Sequence, residues 1–467
     1  MNALRQEPAL DLPDFALLGV YLAMAGIGTL TGALLLSDAA VLMSVGWLGN
    51  AWDLYLGQFS ARALAVLLAY GPAWGARAAF DLGAGPHMAL AHALYFALPP
   101  GLWLVVRAVE PHRLYSRLYL AFTIILIYFP TEVFTAAGFW TIWLAWISAP
   151  GRSTPGIAGA TAILGIAIAF THPAALLMSG TYLAAGLVLR LAGRPLPTRT
   201  LWAAAAMTVL LTVAYLVLSR VLPPTNPTVV HALTVNRQDY ADPVRALATF
   251  ALFPMIPAVW LLLLIPGLPG GSIRPSIVTA IGLFGLWFAA AGTGLLTALY
   301  ARHTAPYLLA LALVLAQSQP AAWLRASRAP LCWCAAIAMV AALSYTADLI
   351  VFGRYVDRHL TPGFHDVASV DPAWPAPVSD RGGARTWAKW LAGNDYVRDV
   401  VVPEYDWYRA TLVFYSFYRS NGTSALYHAL GQPGDWIAFQ CDAVGRIVRR
   451  PETAAFVAFL AQGYCVK

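Results

Sequence analysis

Ser37 to Arg62 reads SDAAVLMSVGWLGNAWDLYLGQFSAR, and the fold turns on whether this stretch crosses a bilayer or lies along one. It follows an apolar segment, Phe15 to Leu36, of about the length that spans a membrane. Asp38 and Asp53 stand in it, separated by apolar and aromatic residues. That pattern suits a helix lying in the interface better than an extended loop in water. Carboxylates beside a greasy helix are costly to place and so raise a question of function. The plain alternative is that Asp38 caps the next helix and Asp53 faces water.

Composition sets the solvent. The chain has 467 residues, 60% of them hydrophobic and 11% charged. A soluble chain carries roughly a quarter charged residues, so this is a polytopic membrane protein. The net charge of +7 comes largely from Arg at the ends of apolar segments. It reads as a topology signal, with no nucleic-acid partner implied. The first apolar segment is too long for a cleaved signal peptide. Cys332 and Cys334 lie in an apolar segment and read as packing residues. Cys441 and Cys465 lie in a polar region and are able to pair as a disulfide if that region faces an oxidising compartment.

About eleven apolar segments have the length and composition of spanning helices. They are Phe15 to Leu36, then 86–107, 114–130, 133–149, 156–171, 173–190, 200–221, 246–266, 276–298, 304–317 and 330–351. The stretch over about 38–82 is broken by Asp53, Arg62, Gly71, Pro72 and Arg77 and reads as interfacial helices in the first outer loop. Pro99 and Pro100 interrupt the second span, so neighbouring helices must satisfy the carbonyls they free. With a cytoplasmic N-terminus, the inner connections hold Arg107, Arg113, Arg117, Arg152, Arg190, Arg194, Arg199, Arg274, Arg325 and Arg328, as the positive-inside rule requires. Counting 60–80 as a span would invert this alternation and scatter the basic loops. The fold class is therefore all-α and polytopic over 1–352. A small extracytoplasmic α/β domain is expected over 353–467, and the whole is a multi-pass protein of the inner (plasma) membrane.

The outer face then collects Asp38, Asp53, Glu132 and His172. It also holds the 223–243 loop and, in Tyr300 to Tyr307, Arg302 and His303. An acid serves as general base for an acceptor hydroxyl, and Arg presents a planar fork to phosphate oxygens. His donates to phosphate or shuttles a proton. No cofactor is implied with certainty. A divalent metal held by Asp and His stays open, although no ligand spacing is diagnostic. Each residue also has a structural reading. Asp53 is equally an interfacial residue, Glu132 a cap for the helix starting at Val133, His172 a polar turn before Pro173, and Arg302 a side chain reaching to lipid phosphates.

The order is a span, Ser-Asp at its outer end, an aromatic stretch, Gly57-Gln58-Phe59 with Arg62, a basic inner loop and an outer turn with Glu132. It resembles the polytopic GT-C glycosyltransferases that use polyprenyl-phosphate sugars. Tyr300 to Tyr307 is similar to their late outer segment with a basic residue before a Pro-containing helix. The resemblance implies an inverting transferase that takes a sugar from a polyprenyl-phosphate carrier to a glycan, lipid or protein acceptor at the outer face. On that basis Asp38, Asp53 and Glu132 would be catalytic. Arg62, His172, Arg302, His303 and Tyr307 would bind substrate. The family often carries a double acid where this chain has Asp38-Ala39, so either Asp38 or Asp53 is the base. The competing functions are a lipid-linked glycan polymerase or ligase and a membrane transporter or flippase.

Overall fold

A computed structural model describes residues 12–31, 60–110, 113–127, 132–191, 193, 196–221, 306–307, 309–314 and 317. Among these residues every regular element is helical. The segments expected over about 246–298 and 330–351 and the C-terminal domain lie outside the described residues. The elements are α1 (Leu12–Thr31), a 3-10 turn (Ser60–Arg62), α2 (Ala63–Ala69), α3 (Gly71–Phe80), α4 (Ala84–Val109) and α5 (Leu114–Leu126). They continue with α6 (Val133–Ser148), α7 (Thr154–Ala169), α8 (Ala174–Leu191) and α9 (Thr198–Val221). Gly85–Val109, Ala174–Leu191 and Thr198–Leu218 are long and apolar enough to cross a membrane. The chain is thus an all-helical membrane protein over this region, and its helices fall where the apolar segments predict them.

Each element forms for a local reason. Ser153 caps α7, its hydroxyl accepting from the Gly156 N–H at 3.2 Å, and Pro155 occupies the first turn. α4 carries Pro99 and Pro100 in its interior. Pro100 has no N–H to give to the carbonyl four residues back, which is that of Phe96. The buried Tyr21 of α1 donates its hydroxyl to that carbonyl at 2.9 Å. A partner helix thus supplies the bond that proline removes.

Glycines set how closely the helices approach. A Cβ at Gly138 of α6 would lie 2.7 Å from Leu102 Cδ1 and 2.9 Å from the Tyr119 hydroxyl, so a larger residue there would require these side chains of α4 and α5 to shift. Gly186 of α8 serves α9 likewise, with Leu201 Cδ2 at 2.6 Å. Without a hydrophobic force between helices in lipid, such close packing and buried polar bonds hold the bundle. Trp140 donates to Ser179 at 2.8 Å and Trp143 to Thr161 at 3.0 Å, tying α6 to α8 and to α7. Gln317, helical and far along the chain, donates to Tyr115 and Ser148 and accepts from Tyr182.

The bundle has two chemically distinct ends. At one, Asp14 of α1 is fully buried between Arg107 at 2.9 Å and Arg117 at 2.8 Å. These arginines close α4 and open α5, so the start of α1 lies beside the α4–α5 turn. Arg190 donates to Thr198 and Arg199 to the Ala149 carbonyl at the same end. Arg152 stands over the Trp146 ring at 4.5 Å. At the opposite end the Leu64 N–H donates to the Phe170 carbonyl at 2.8 Å, and Arg62 pairs with Glu132. α2 and α3 are bent by 52°. The pair begins beside Glu132 and Phe170 and ends, through Asp81 to Gly83, at the start of α4. Both points belong to the same end of the bundle, and the bent pair together has the length and composition of a broken span or a re-entrant loop.

Glu110 terminates α4 and caps α5. Its carboxylate accepts from the Ser116 N–H at 3.1 Å and also from the Ser116 hydroxyl. Burial pushes its carboxyl up to about 7, against the pull of those bonds and of Arg107.

Two outcomes test this packing. Tyr21→Phe removes only the hydroxyl and should cost about 1–3 kcal/mol, because the Phe96 carbonyl is left without its partner. A thermal midpoint in detergent equal to wild type would contradict the assignment. Glu110 holds its proton to higher pH when folded, so its contribution is lost as pH rises from 4.5 to about 7. Glu110→Gln keeps an acceptor for Ser116 and removes this slope. Its midpoint relative to wild type should therefore rise as pH goes from 4.5 to about 7.

Candidate functional site

Glu132 immediately precedes α6 in helical conformation, and its own carbonyl accepts from the Ala136 N–H at 3.1 Å. Its carboxylate makes no capping bond to α6. It accepts instead from Arg62 Nη1 at 3.4 Å. The side chains are 2% and 10% exposed. Of the two sequence readings of Glu132, the cap is not what the side chain does. Arg62 closes the 3-10 turn and leads into α2, whose Ala65 and Val66 are fully buried, with Ala61 buried just before it. The Leu64–Phe170 bond clamps the same turn.

The pair is recessed. Tyr95 of α4 lies 6.0 Å, ring to ring, from Phe134 in the first turn of α6. The start of α6 is therefore level with Tyr95, about 16 Å along α4 from Ala84 at 1.5 Å per residue. The Tyr21–Phe96 bond places α1 on the same scale, with Thr31 about 15 Å beyond. Glu132 and Arg62 thus sit well inside the outer ends of α1 and α4, although the sequence puts Glu132 in an outer turn. In the same region Tyr70 stacks on Trp74 at 6.3 Å and meets Tyr95 at 5.8 Å. A buried ion pair sits in a lower dielectric than water, where its field on a third charge is stronger.

His172 belongs to this end too. Its Nδ1 accepts from the Ala174 N–H at 3.0 Å, and its carbonyl accepts from the Tyr215 hydroxyl at 3.1 Å. The ring closes the turn into α8, which is the structural reading of His172-Pro173. Tyr307 is helical and half-buried at the start of 306–317. Asp38, Asp53, Arg302 and His303 lie outside the described residues, as do Cys441 and Cys465. Among the described residues no three His, Cys, Asp or Glu side chains gather where a metal ion would sit.

Sequence reasoning treated Arg107 and Arg117 as topology arginines and passed over Asp14, which joins them. The available signal was an acid in the first turn of a span whose expected side held both arginines. His87 and His92 were passed over as well. Both are fully buried in α4, and His92 Nδ1 lies 2.8 Å from the Met88 carbonyl. No protein-family model matches the chain, nor does any curated protein or solved structure.

The capping role of His172 has a direct test. His172→Ala should lower stability by about 1 kcal/mol, and His172→Asn, which retains a capping acceptor, should recover most of it. Equal losses in the two variants, read from thermal midpoints, would argue against the cap.

Proposed function

We propose that the protein is an inverting membrane glycosyltransferase of the GT-C class. It takes one sugar from a polyprenyl-phosphate carrier to a hydroxyl of a glycan, lipid or protein at the outer face of the plasma membrane. The observation that supports it best is the recessed Arg62–Glu132 pair at the end of the bundle away from Arg107, Arg117, Arg152, Arg190 and Arg199. Ionisable groups buried at membrane depth are expensive to keep and mark sites of function. In this reading the basic end is cytoplasmic, the chain crosses about eleven times, α2 and α3 are re-entrant, and residues 353–467 form a periplasmic domain.

In the transfer, the acceptor oxygen bonds to the anomeric carbon from the face opposite the phosphate. The bond from that carbon to the phosphate oxygen breaks, and the electron pair leaves with polyprenyl phosphate. Asp38 or Asp53 takes the acceptor proton, and Arg302 with His303 stabilises the departing phosphate.

The test is turnover by the full chain in nanodiscs, given a panel of radiolabelled polyprenyl-monophosphate sugars. Transfer from at least one donor is expected, with loss of about a hundredfold or more in Asp38→Asn or Asp53→Asn. Full turnover in both variants would overturn the mechanism, and no transfer from any donor would overturn the class.

One feature favours a second reading as a transporter or flippase. The 52° break between α2 and α3 is of the kind that builds binding sites in discontinuous helices. Protein-dependent movement of a labelled lipid across sealed vesicles, without transfer, would support it.

A further inference from the structure

We infer that Arg152, Arg190 and Arg199 bind the headgroup of an anionic phospholipid whose acyl chains lie along the exposed face of α9; this goes beyond the transferase reading and does not depend on it. All three side chains are exposed, and they cluster at one end of the bundle. Arg190 Nη1 donates to the hydroxyl of Thr198, the neighbour of Arg199, at 2.7 Å. Arg199 Nη2 donates to the Ala149 carbonyl at 3.3 Å, in the turn that carries Arg152. Arg152 lies over the Trp146 ring, its guanidinium carbon 4.5 Å from the centroid. The helices agree on the level. A Cβ at Gly165 of α7 would meet Leu210 and Met207 of α9, and the two helices run the same way. Counting back equally from these contacts brings Arg152 beside the start of α9.

Among the described residues none of these three arginines pairs with a carboxylate, whereas Arg107 and Arg117 share Asp14 at the same end. A guanidinium has five donors in a planar fork, so one hydrogen bond or one ring face leaves most of them for a ligand. Three such groups with no acid between them attract an anion, and their forks match phosphate oxygens. The surface below them is apolar. From Arg199 the exposed face of α9 continues through Trp202, Val209 and Val213, which helical spacing puts on one side. Leu187, one turn before Arg190, and Leu191, next to it, are exposed on α8. Trp202 stands where an indole suits the membrane interface. From there to Val213 the face runs about 16 Å, close to one leaflet's half of a hydrocarbon core of about 30 Å. A soluble anion would leave that face uncovered, whereas a phospholipid covers it with its chains while its phosphate meets the forks. A zwitterionic lipid brings its own ammonium group to the arginines, so a net negative headgroup is preferred.

Native mass spectrometry of the full chain in detergent micelles tests the site. The protein is offered equal amounts of phosphatidylglycerol and phosphatidylcholine with the same chains. Retention of phosphatidylglycerol by about tenfold or more over phosphatidylcholine is expected. Equal retention overturns the proposal. Glycerol phosphate, a headgroup without chains, should bind at least about tenfold more weakly than phosphatidylglycerol, and equal binding would overturn the assignment to a lipid. Arg152→Gln, Arg190→Gln and Arg199→Gln should each weaken phosphatidylglycerol about fivefold, and the triple variant about a hundredfold. Arg220, exposed in the last turn of α9 at the other end, supplies the control. Arg220→Gln removes the same charge and should leave binding within about twofold. A loss in Arg220→Gln equal to that in Arg199→Gln would reduce the effect to net charge and overturn the site. If the triple variant fails to fold, the single variants decide, and wild-type affinity in all three overturns the proposal. A dimer in the same spectra, lost in these variants and indifferent to added lipid, would assign the face to a second copy of the chain and overturn the lipid.

Discussion

The pairing of Arg62 with Glu132 ties the start of the α2–α3 pair to the start of α6. Together with the Leu64–Phe170 bond it anchors the entry of the α2–α3 pair to the end of the bundle where α6 begins and α7 stops. The exit of that pair, at Gly83, is already at that end, because α4 leads from there through α5 to α6. Removing one partner of a buried ion pair leaves the other charge uncompensated, a loss of several kcal/mol. The start of the α2–α3 pair is therefore fixed to that end of the bundle.

The same accounting of buried charge and backbone explains the rest of the bundle. Where proline frees a carbonyl in α4, Tyr21 answers it. Where Asp14 would be an isolated carboxylate among helices, two arginines from another turn close on it. The two ion clusters differ in setting. Asp14 and its arginines lie at helix ends that also carry Arg152, Arg190 and Arg199, and they join α1 to the α4–α5 turn. Arg62 and Glu132 lie below the ends of α1 and α4, nearly buried. The first arrangement is sufficient as a structural clasp. The second places charge where a clasp alone would be served as well by apolar residues of similar volume.

This contrast links the fold to the proposed chemistry. α6 and α7 are each 16 residues long, whereas α1 and α4 reach farther. Unequal helix lengths leave the start of α6 short of the outer ends of α1 and α4, and the charged pair occupies that step.

The positions of the helices were legible in the residues themselves. Apolar length, Pro155 with Ser153 before it, and the turns at 149–153 and 170–173 are properties of contiguous windows, and hydropathy reports them directly. The placing of Arg62, Glu132 and His172 at one end of the bundle was legible as well, because it follows from alternating the helix directions along the chain. Which of their two meanings each carried was not. Glu132 as a helix cap and Glu132 as a site residue make the same local sequence, and so do His172 as a turn and His172 as a ligand. Only the tertiary structure turned the Glu132 carboxylate to a guanidinium 70 positions earlier and joined Asp14 to two arginines about a hundred residues on. Burial and ion pairing are relations between distant segments, and no window of sequence contains both partners.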